Sequence, residues 1–268
     1  MKLDHSPGDG EAVLDASDLC GLHPLFAVRV ALWLDRLKSS GVRIAITEPR
    51  DRPTRRLFRA FRLGKEVDGV TAALPEDDPE VILRPTRLAG LTEVDLLADM
   101  MVQPLVDHFD DAAIVRDAVL MAISELCQNA VEHGTSPAGC VVAASRGEVD
   151  GISKIMLGVG DLGIGIPNHI RKARPELVLD EHAIGQALKE GVSGTQRGDR
   201  GYGFSWVLNE TLSSAATSAE MLIRFGGGMF RREIVDARIK DHGWRAPDAG
   251  GTWIACDWAT LGELPTDC

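Results

Sequence analysis

SELCQNAVEHG, residues 124–134, ends a segment in which apolar residues recur at helical spacing. The apolar positions of that segment, residues 113–134, are Ile114, Ala118, Met121, Ala122, Leu126, Ala130 and Val131. Their periodicity predicts one long amphipathic helix. On such a helix Glu125, Asn129 and His133 stand four residues apart and stack along a second, polar face.

This polar face combines a carboxylate, an amide and an imidazole beside an apolar stripe. Such an oxygen-rich strip suits a hard cation better than a packing role. Magnesium usually takes few protein ligands and completes its shell with waters and phosphate oxygens, so one Asn oxygen can suffice. The strip therefore indicates a magnesium site, and an exposed face of ordinary polar residues is the alternative.

A second stretch, GDLGIGIP at residues 160–167, follows the alternating apolar run KIMLGVGD at residues 154–161. The alternation predicts a strand that leads into a glycine-rich turn. Gly163 and Gly165 allow positive φ and leave room for a flat ligand, and Asp161 is a lone acceptor at the end of the strand. The same pattern also occurs in ordinary turns.

A third stretch, residues 191–203, crowds glycines among Ser, Thr and Arg, and it ends in RGYGFSW at residues 200–206. Successive backbone N–H groups that open onto a helix form a cradle for an anion. We expect residues 168–200 to be a mobile lid over phosphates, because they offer little apolar burial. The chain has no GxxxxGK[ST] loop and no GxGxxG that opens a helix after a strand.

Together with GGTWIACDW at residues 250–258, these stretches resemble the N box, the two glycine boxes and the terminal Thr strand of the GHKL nucleotide-binding fold. Gyrase, heat-shock chaperones, histidine kinases and mismatch-repair ATPases share that fold. The resemblance extends over roughly residues 84–264, about two thirds of the chain. It implies an α+β sandwich that binds ATP with Mg²⁺.

The resemblance also implies roles for individual residues. Asn129 would be the magnesium ligand, and Glu125 would polarise a water or an attacking hydroxyl. Asp161 would accept a hydrogen bond from the adenine amino group, with Thr252 linked to both through a water. The remaining nucleotide contacts expected are His133, Gly163, Gly165, Ser193, Arg200, Gly201, Gly203 and Phe204.

The N-terminal part predicts a smaller α/β domain. The pattern is a strand at 11–15, a helix at 25–39, a strand at 42–47 and a helix at 54–63. Prolines and acidic residues at 74–88 interrupt the periodicity, so we predict domains at 1–78 and 79–268. The first resembles the sulfate-transporter and anti-sigma-factor-antagonist (STAS) fold in degenerate form, because residues 23–26, His-Pro-Leu-Phe, replace the turn that carries its phosphorylated serine.

Composition narrows the classes of protein. The net charge is −11, and residues 79–268, with 17 basic and 27 acidic groups, carry nearly all of it. An acidic domain of this kind argues against nonspecific nucleic-acid binding. The cationic segment 50–65 is open to three interpretations: a solvated helix face, docking onto an acidic surface such as the second domain, or nucleic-acid binding.

Without a long apolar run, a signal-peptide core or paired cysteines, we expect a cytoplasmic protein with reduced thiols.

Four functions fit a GHKL site in this chain. The N box resembles that of anti-sigma-factor serine kinases more closely than that of sensor kinases, and a two-component kinase would need a phosphoacceptor helix, for which His108 is the only nearby histidine. A conformational ATPase and an ATP-sensing module are the other two. We favour a regulatory ATP-binding protein with kinase-like or ATPase activity that controls a protein partner, and a homodimer is compatible with the sequence.

Overall fold

The computed structural model describes residues 2–5, 11–65, 67, 69–75, 78–108, 113–134, 136, 138–149, 152–173, 175–187, 218–235, 238–248 and 250–259. These residues form two sheets with helices packed on them, which is a mixed α/β chain of the α+β kind. This much of the predicted fold class is confirmed.

The larger sheet has seven antiparallel strands in the order β4-β5-β6-β10-β7-β8-β9. Its strands are β4 (Val81–Leu88), β5 (Cys140–Val149), β6 (Ile152–Asp161), β7 (Ser218–Phe225), β8 (Gly228–Val235), β9 (Arg238–Arg245) and β10 (Thr252–Ala259). The predicted strand at 154–161 is confirmed as β6. In the centre of the sheet, β10 joins the two halves by pairing with β6 on one side and β7 on the other.

The first face of this sheet carries the main core. Helices α3 (Leu91–His108) and α4 (Ala113–His133) pack together over it, so the predicted long helix is confirmed. Side chains alternate between faces along each strand. Ile155, Leu157 and Val159 of β6 point to the first face and are buried beneath α4 with Leu126.

The N-terminal part forms a three-stranded sheet in the order β1-β2-β3, with β1 (Lys2–His5), β2 (Glu11–Asp15) and β3 (Arg43–Thr47). Strands β2 and β3 are parallel, and α1 (Pro24–Ser39) connects them. Helix α2 (Arg52–Ala60) follows. The predicted strand-helix-strand-helix order is confirmed, whereas β1 was not predicted, since a strand of four residues carries little periodicity.

Helix α1 lies directly on the second face of the large sheet. A Cβ at Gly158 would come within 2.3 Å of the Leu25 backbone nitrogen, and one at Gly160 within 2.9 Å of a Val28 methyl. The close approach of α1 therefore requires the two glycines of β6. Apolar residues of the N-terminal part and of the large sheet consequently share one core, across the predicted boundary between residues 78 and 79: Val28, Phe58, Phe61, Val81, Val141, Ala143 and Trp253.

The proline-containing stretch at 74–88, interpreted from sequence as an interruption, contains β4. Pro85 lies inside this strand, at a place where the register with β5 shifts between Leu83 and Thr86. Proline has no N–H to donate to a ladder, and an edge strand with an irregular register tolerates that loss. The break in periodicity therefore does not extend into residues 81–88, which form this strand.

Neither a membrane span nor a disulfide is found in the described ranges. No helix there is both long and apolar enough to cross a bilayer. Cys127, Cys140 and Cys256 are buried free thiols, and Cys20 is an exposed one. Cys268 lies outside the described residues.

The cationic segment 50–65 pairs with nearby carboxylates. Arg59 forms a bidentate pair with Glu48 of its own layer, and Arg56 pairs with Glu80 just before β4 and lies 3.5 Å from Asp78. The contact between the N-terminal layer and the large sheet is nonetheless mainly apolar, with Phe58 and Val81 buried in it. The ion pairs of segment 50–65 are more exposed, with the Arg56 and Arg59 side chains 50 % and 65 % exposed, so apolar burial contributes more to this contact than they do.

Arg56→Gln should accordingly lower the free energy of unfolding by less than about 1 kcal/mol, because exposed ion pairs contribute little in water. Urea denaturation at low and high salt measures this. Arg36→Gln, which removes an exposed cation from the end of α1, is the matched control. A loss above about 2 kcal/mol that salt abolishes would show that charge, and not apolar burial, holds the layer in place.

Candidate functional site

The candidate site lies at one end of the large sheet, on the first face. Asp161 ends β6, and its direct neighbours across the sheet are Cys140 of β5 and Thr252 of β10. All three side chains point toward the face that α3 and α4 cover, because neighbours across a sheet share a face. The C-terminal end of α4 reaches the same place, where a Cβ at Gly134 would lie 3.1 Å from the Asp161 carboxyl.

Asp161 is the most unusual group of the site. Its side chain is only 2 % exposed. The pKa of Asp161 is raised to about 6, because burial raises it by more than hydrogen bonds from the Gly163 N–H and the Thr252 side chain lower it. The Gly163 nitrogen lies 2.7 Å from Oδ1. A carboxyl held this way at the end of a central strand keeps acceptor capacity for a ligand.

Glycines let three backbone segments converge around this carboxyl. A Cβ at Gly163 would lie 1.7 Å from the Gly134 carbonyl oxygen, and that oxygen accepts from the Ile164 N–H at 2.9 Å. A Cβ at Gly251, whose φ is +69°, would lie 2.0 Å from the Asp161 carbonyl oxygen. Gly165 also has a positive φ, +79°. The turn, the end of α4 and the start of β10 can meet only with glycine at these positions.

Gly134 and Gly251 were missed as site residues. Both lie in stretches singled out from the sequence, SELCQNAVEHG and GGTWIACDW. Gly134 follows the end of the predicted helix, and Gly251 precedes the predicted strand, so both glycines could have been noticed. What the sequence does not show is that both approach the same carboxylate.

Helix α4 carries the polar face predicted from the sequence, which we call the polar column: Glu125, Asn129 and His133. Glu125 and Asn129 are partly buried, and so is His133 at the last helical position. Burial raises the pKa of Glu125, and the nearby Glu132 charge adds to the rise. The Asn129 Nδ2 atom is buried with no hydrogen-bond partner among the described residues. A polar ligand beside α4 would satisfy this amide, since buried amide groups are normally hydrogen-bonded.

The column fits a magnesium ion only if a phosphate ligand completes the shell. In the described part of the chain, no group of three or more His, Cys, Asp or Glu side chains could hold a metal by itself. One amide oxygen from Asn129, with phosphate and water oxygens, is a donor set that magnesium accepts. Asn129 could therefore give one oxygen to a magnesium ion that phosphate also holds, and the described side chains form no complete metal site.

The predicted lid is only partly described. Ser193, Arg200, Gly201, Gly203 and Phe204 lie outside the described residues. Before them, α5 (Ile166–Ala173) and α6 (Asp180–Ala187) are helices that bury apolar residues: Ile170, Ala183 and Ile184. The expectation of little apolar burial from residue 168 onward is therefore wrong as far as residue 187.

Asp180 joins these two helices to the sheet. Its carboxylate pairs with Arg171 of α5 and accepts from the Gly227 N–H of the β7–β8 turn at 2.9 Å. Arg171 also donates to the carbonyl oxygens of Leu177 and Val178 at 2.7 and 2.8 Å. This network fixes the chain on both sides of the α5–α6 connection, and it was not predicted.

Comparison with known proteins adds no family to these observations. No protein-family model matches the chain, and no curated protein matches it. The interpretation of the site therefore depends on the residues themselves: the buried Asp161, the glycines around it and the polar column of α4.

Proposed function

We propose that this chain is a regulatory ATP-binding protein with a GHKL-type site, and that kinase-like or ATPase chemistry at that site controls a protein partner. The observation that carries the proposal is the buried carboxyl of Asp161 among converging glycines. A buried carboxylate with few donors is costly for a fold, and such groups concentrate at functional sites.

The base-binding part of the proposal follows from hydrogen-bond chemistry. Ionised Asp161 is acceptor-only, so its ligand must donate. Adenine presents an exocyclic amine, whereas guanine presents a carbonyl at the corresponding position. Gly163 and Gly165 leave the flat base free of side chains on the turn, and Thr252 helps to hold the carboxyl in place. ATP is thus preferred over GTP.

The phosphate end would lie along α4. Asn129 would supply the magnesium ligand, and magnesium, when bound, would neutralise phosphate charge. Glu125 lies one helical turn before Asn129, and its raised pKa makes it a stronger base than an exposed glutamate. It would accept the proton of a serine hydroxyl or of water as that oxygen bonds to the γ-phosphorus and ADP leaves.

Asn129→Ala tests the site directly and should weaken magnesium-dependent ATP binding by about tenfold or more, because the triphosphate charge loses the metal's protein ligand. The stability of the fold should change little, since the Asn129 amide already lacks one partner. Isothermal calorimetry with ATP and GTP, with and without magnesium, measures both points. Gln128→Ala, one residue away on α4, is the control and should bind ATP normally. Equal ATP affinity in wild type and Asn129→Ala would remove the metal assignment.

The reaction class needs a separate measurement. Incubation with γ-labelled ATP and magnesium, with and without candidate partner proteins, distinguishes the outcomes. Label on a serine of a partner supports kinase activity, and free labelled phosphate supports an ATPase. Loss of either product in Glu125→Gln, with ATP binding retained, would assign the base. ATP binding with no product in any mixture would exclude turnover and leave a sensing module.

A further inference from the structure

In the part of the chain that the structure describes, the second face of the large sheet is covered only in part. Helix α1 lies over β5, β6 and β10. The neighbouring strands β7, β8 and β9 continue the same face, and every residue of β9 is exposed. Four cations on these strands point to this face by their register, and one on α1 flanks it: Arg29, Arg224, Arg231, Arg238 and Lys240. We call these five residues the cationic strip.

Few carboxylates neutralise the cationic strip. Three acidic residues point to this face from β7, β8 and β10. Glu220 and Glu233 pair with Arg231 at 2.8 and 2.6 Å, and Asp257 pairs with His23 at 2.8 Å. Among the described residues, Arg224, Arg238 and Lys240 have no carboxylate partner. The strip thus keeps excess positive charge on a chain whose net charge is −11.

Arg29 of α1 and Arg224 of β7 both lie near Trp253 of β10, which is the ladder neighbour of Arg224. The Arg29 guanidinium lies 5.2 Å from the centroid of the Trp253 ring. Burial lowers the pKa of Arg29, and the charge of Arg224 lowers it further. The Arg224 Nε atom is buried with no hydrogen-bond partner in the described part of the chain. Two like charges with an unsatisfied buried donor form a place where an anion would be stabilised.

Apolar side chains lie beside Arg224 on the same face. Trp244 of β9 is 39 % exposed and faces Met229 of β8 across the ladder. Among the described strands, β9 is also the edge of the sheet, so its outer backbone groups can pair with an extended peptide. The surface therefore presents positive charge, apolar contacts and a strand edge together.

We infer that the cationic strip and the adjoining β9 edge bind an acidic, extended segment of a protein partner. Charge complementarity favours an acidic occupant, and the adjoining Met229 and Trp244 favour one that also carries apolar side chains. A long polyanion such as DNA would meet repulsion from the rest of this acidic chain. The inference rests on the proposed function only in taking this segment to belong to the regulated partner, because the strip lies on the opposite face from the nucleotide site.

A labelled peptide tests the inference. The probe is a fluorescein-labelled peptide of eight residues, the length of β9, that alternates Glu with Val. Fluorescence anisotropy with the full chain should show binding that weakens as salt rises. The double variant Arg224→Gln and Lys240→Gln should bind the peptide about tenfold more weakly. The double variant Arg36→Gln and Lys38→Gln removes equal charge from exposed positions of α1 and should bind like wild type.

The inference would be overturned if both double variants bound the peptide equally weakly. It would also be overturned if both bound the peptide as tightly as wild type. Tighter binding of a DNA duplex than of the peptide would overturn it in favour of nucleic acid, and a dimer lost only in the Arg224 and Lys240 variant would overturn it in favour of a second copy. Asn129→Ala separates the two proposals, because it should lose ATP and keep the peptide. Peptide binding without ATP binding in wild type would refute only the nucleotide site.

Discussion

Asp161→Asn should make the protein more stable at pH 7 and at the same time weaken ATP binding. The folded-state pKa of Asp161, about 6, lies above the ordinary aspartate pKa of 3.8. The contribution of Asp161 to the free energy of unfolding is therefore fully present below pH about 4, where the carboxyl is protonated, and is lost as the pH rises through about 6. At pH 7 the ionised carboxylate costs up to about 3 kcal/mol, and the neutral amide should recover about 1 to 3 kcal/mol.

The same substitution should weaken ATP binding, although it stabilises the fold. The amide replaces a charge-assisted acceptor, and losing such a bond costs about 1.5 to 3 kcal/mol, so ATP affinity should fall roughly ten- to a hundredfold. For the same reason, wild-type ATP affinity should fall as pH drops below about 6, where Asp161 becomes protonated. This pH dependence should be absent from Asp161→Asn.

Urea denaturation at pH 4 and pH 7, combined with calorimetry of ATP binding, measures both effects. The control is Asp248→Asn, since Asp248 is an exposed carboxylate that also accepts one backbone N–H, from Gly250 at 2.9 Å. The control should change neither stability nor affinity appreciably. If Asp161→Asn gains no stability at pH 7 and binds ATP normally, Asp161 is neither a strained group nor the base acceptor.

Gly158→Ala should lower the free energy of unfolding by about 3 kcal/mol, because the new Cβ would collide with backbone and not with a flexible side chain. The atoms it would meet are the Leu25 nitrogen at 2.3 Å and the Leu25 Cα at 2.5 Å. Backbone of a packed helix cannot yield locally, so α1 must move off the sheet. Hydrogen exchange should then show loss of protection across α1.

The matched control is Gly147→Ala in the neighbouring strand β5. Its Cβ would contact only the terminal methyl of Met156, at 3.2 Å, which can rotate away. We expect a change of less than about 1 kcal/mol, since alanine also reduces the entropy of the unfolded chain. Equal stability of the two variants by urea denaturation would mean that α1 does not depend on the bare backbone at Gly158.

Local pattern was enough to predict several elements. Periodicity and turn residues predict the helix that carries Glu125 and Asn129 and the strand that ends at Asp161. They also predict the order β2, α1, β3, α2. These signals are local because helix and strand periods are set by backbone geometry. Strand β4 was missed because the prolines that suggested a break are tolerated at a sheet edge.

The raised pKa of Asp161 could not be predicted, because burial depends on segments far apart in the chain. The turn at Gly163, the end of α4 at Gly134 and the start of β10 at Gly251 together enclose the carboxyl. The Arg171–Asp180 network is hidden for the same reason, since its third member is the backbone of Gly227.

The sequence by itself determined several elements, with β1 and β4 as exceptions, and the residue types of the candidate site, since propensity, periodicity and turn chemistry act over a few residues. Only the tertiary structure decided which face of the sheet each element covers. Gly158 and Gly160 appear in the sequence as ordinary strand glycines, but in the fold they are the surface on which α1 rests. The physical reason is that burial and close contact are properties of pairs of surfaces, and residues 24–28 and 158–160 meet only after the chain has folded.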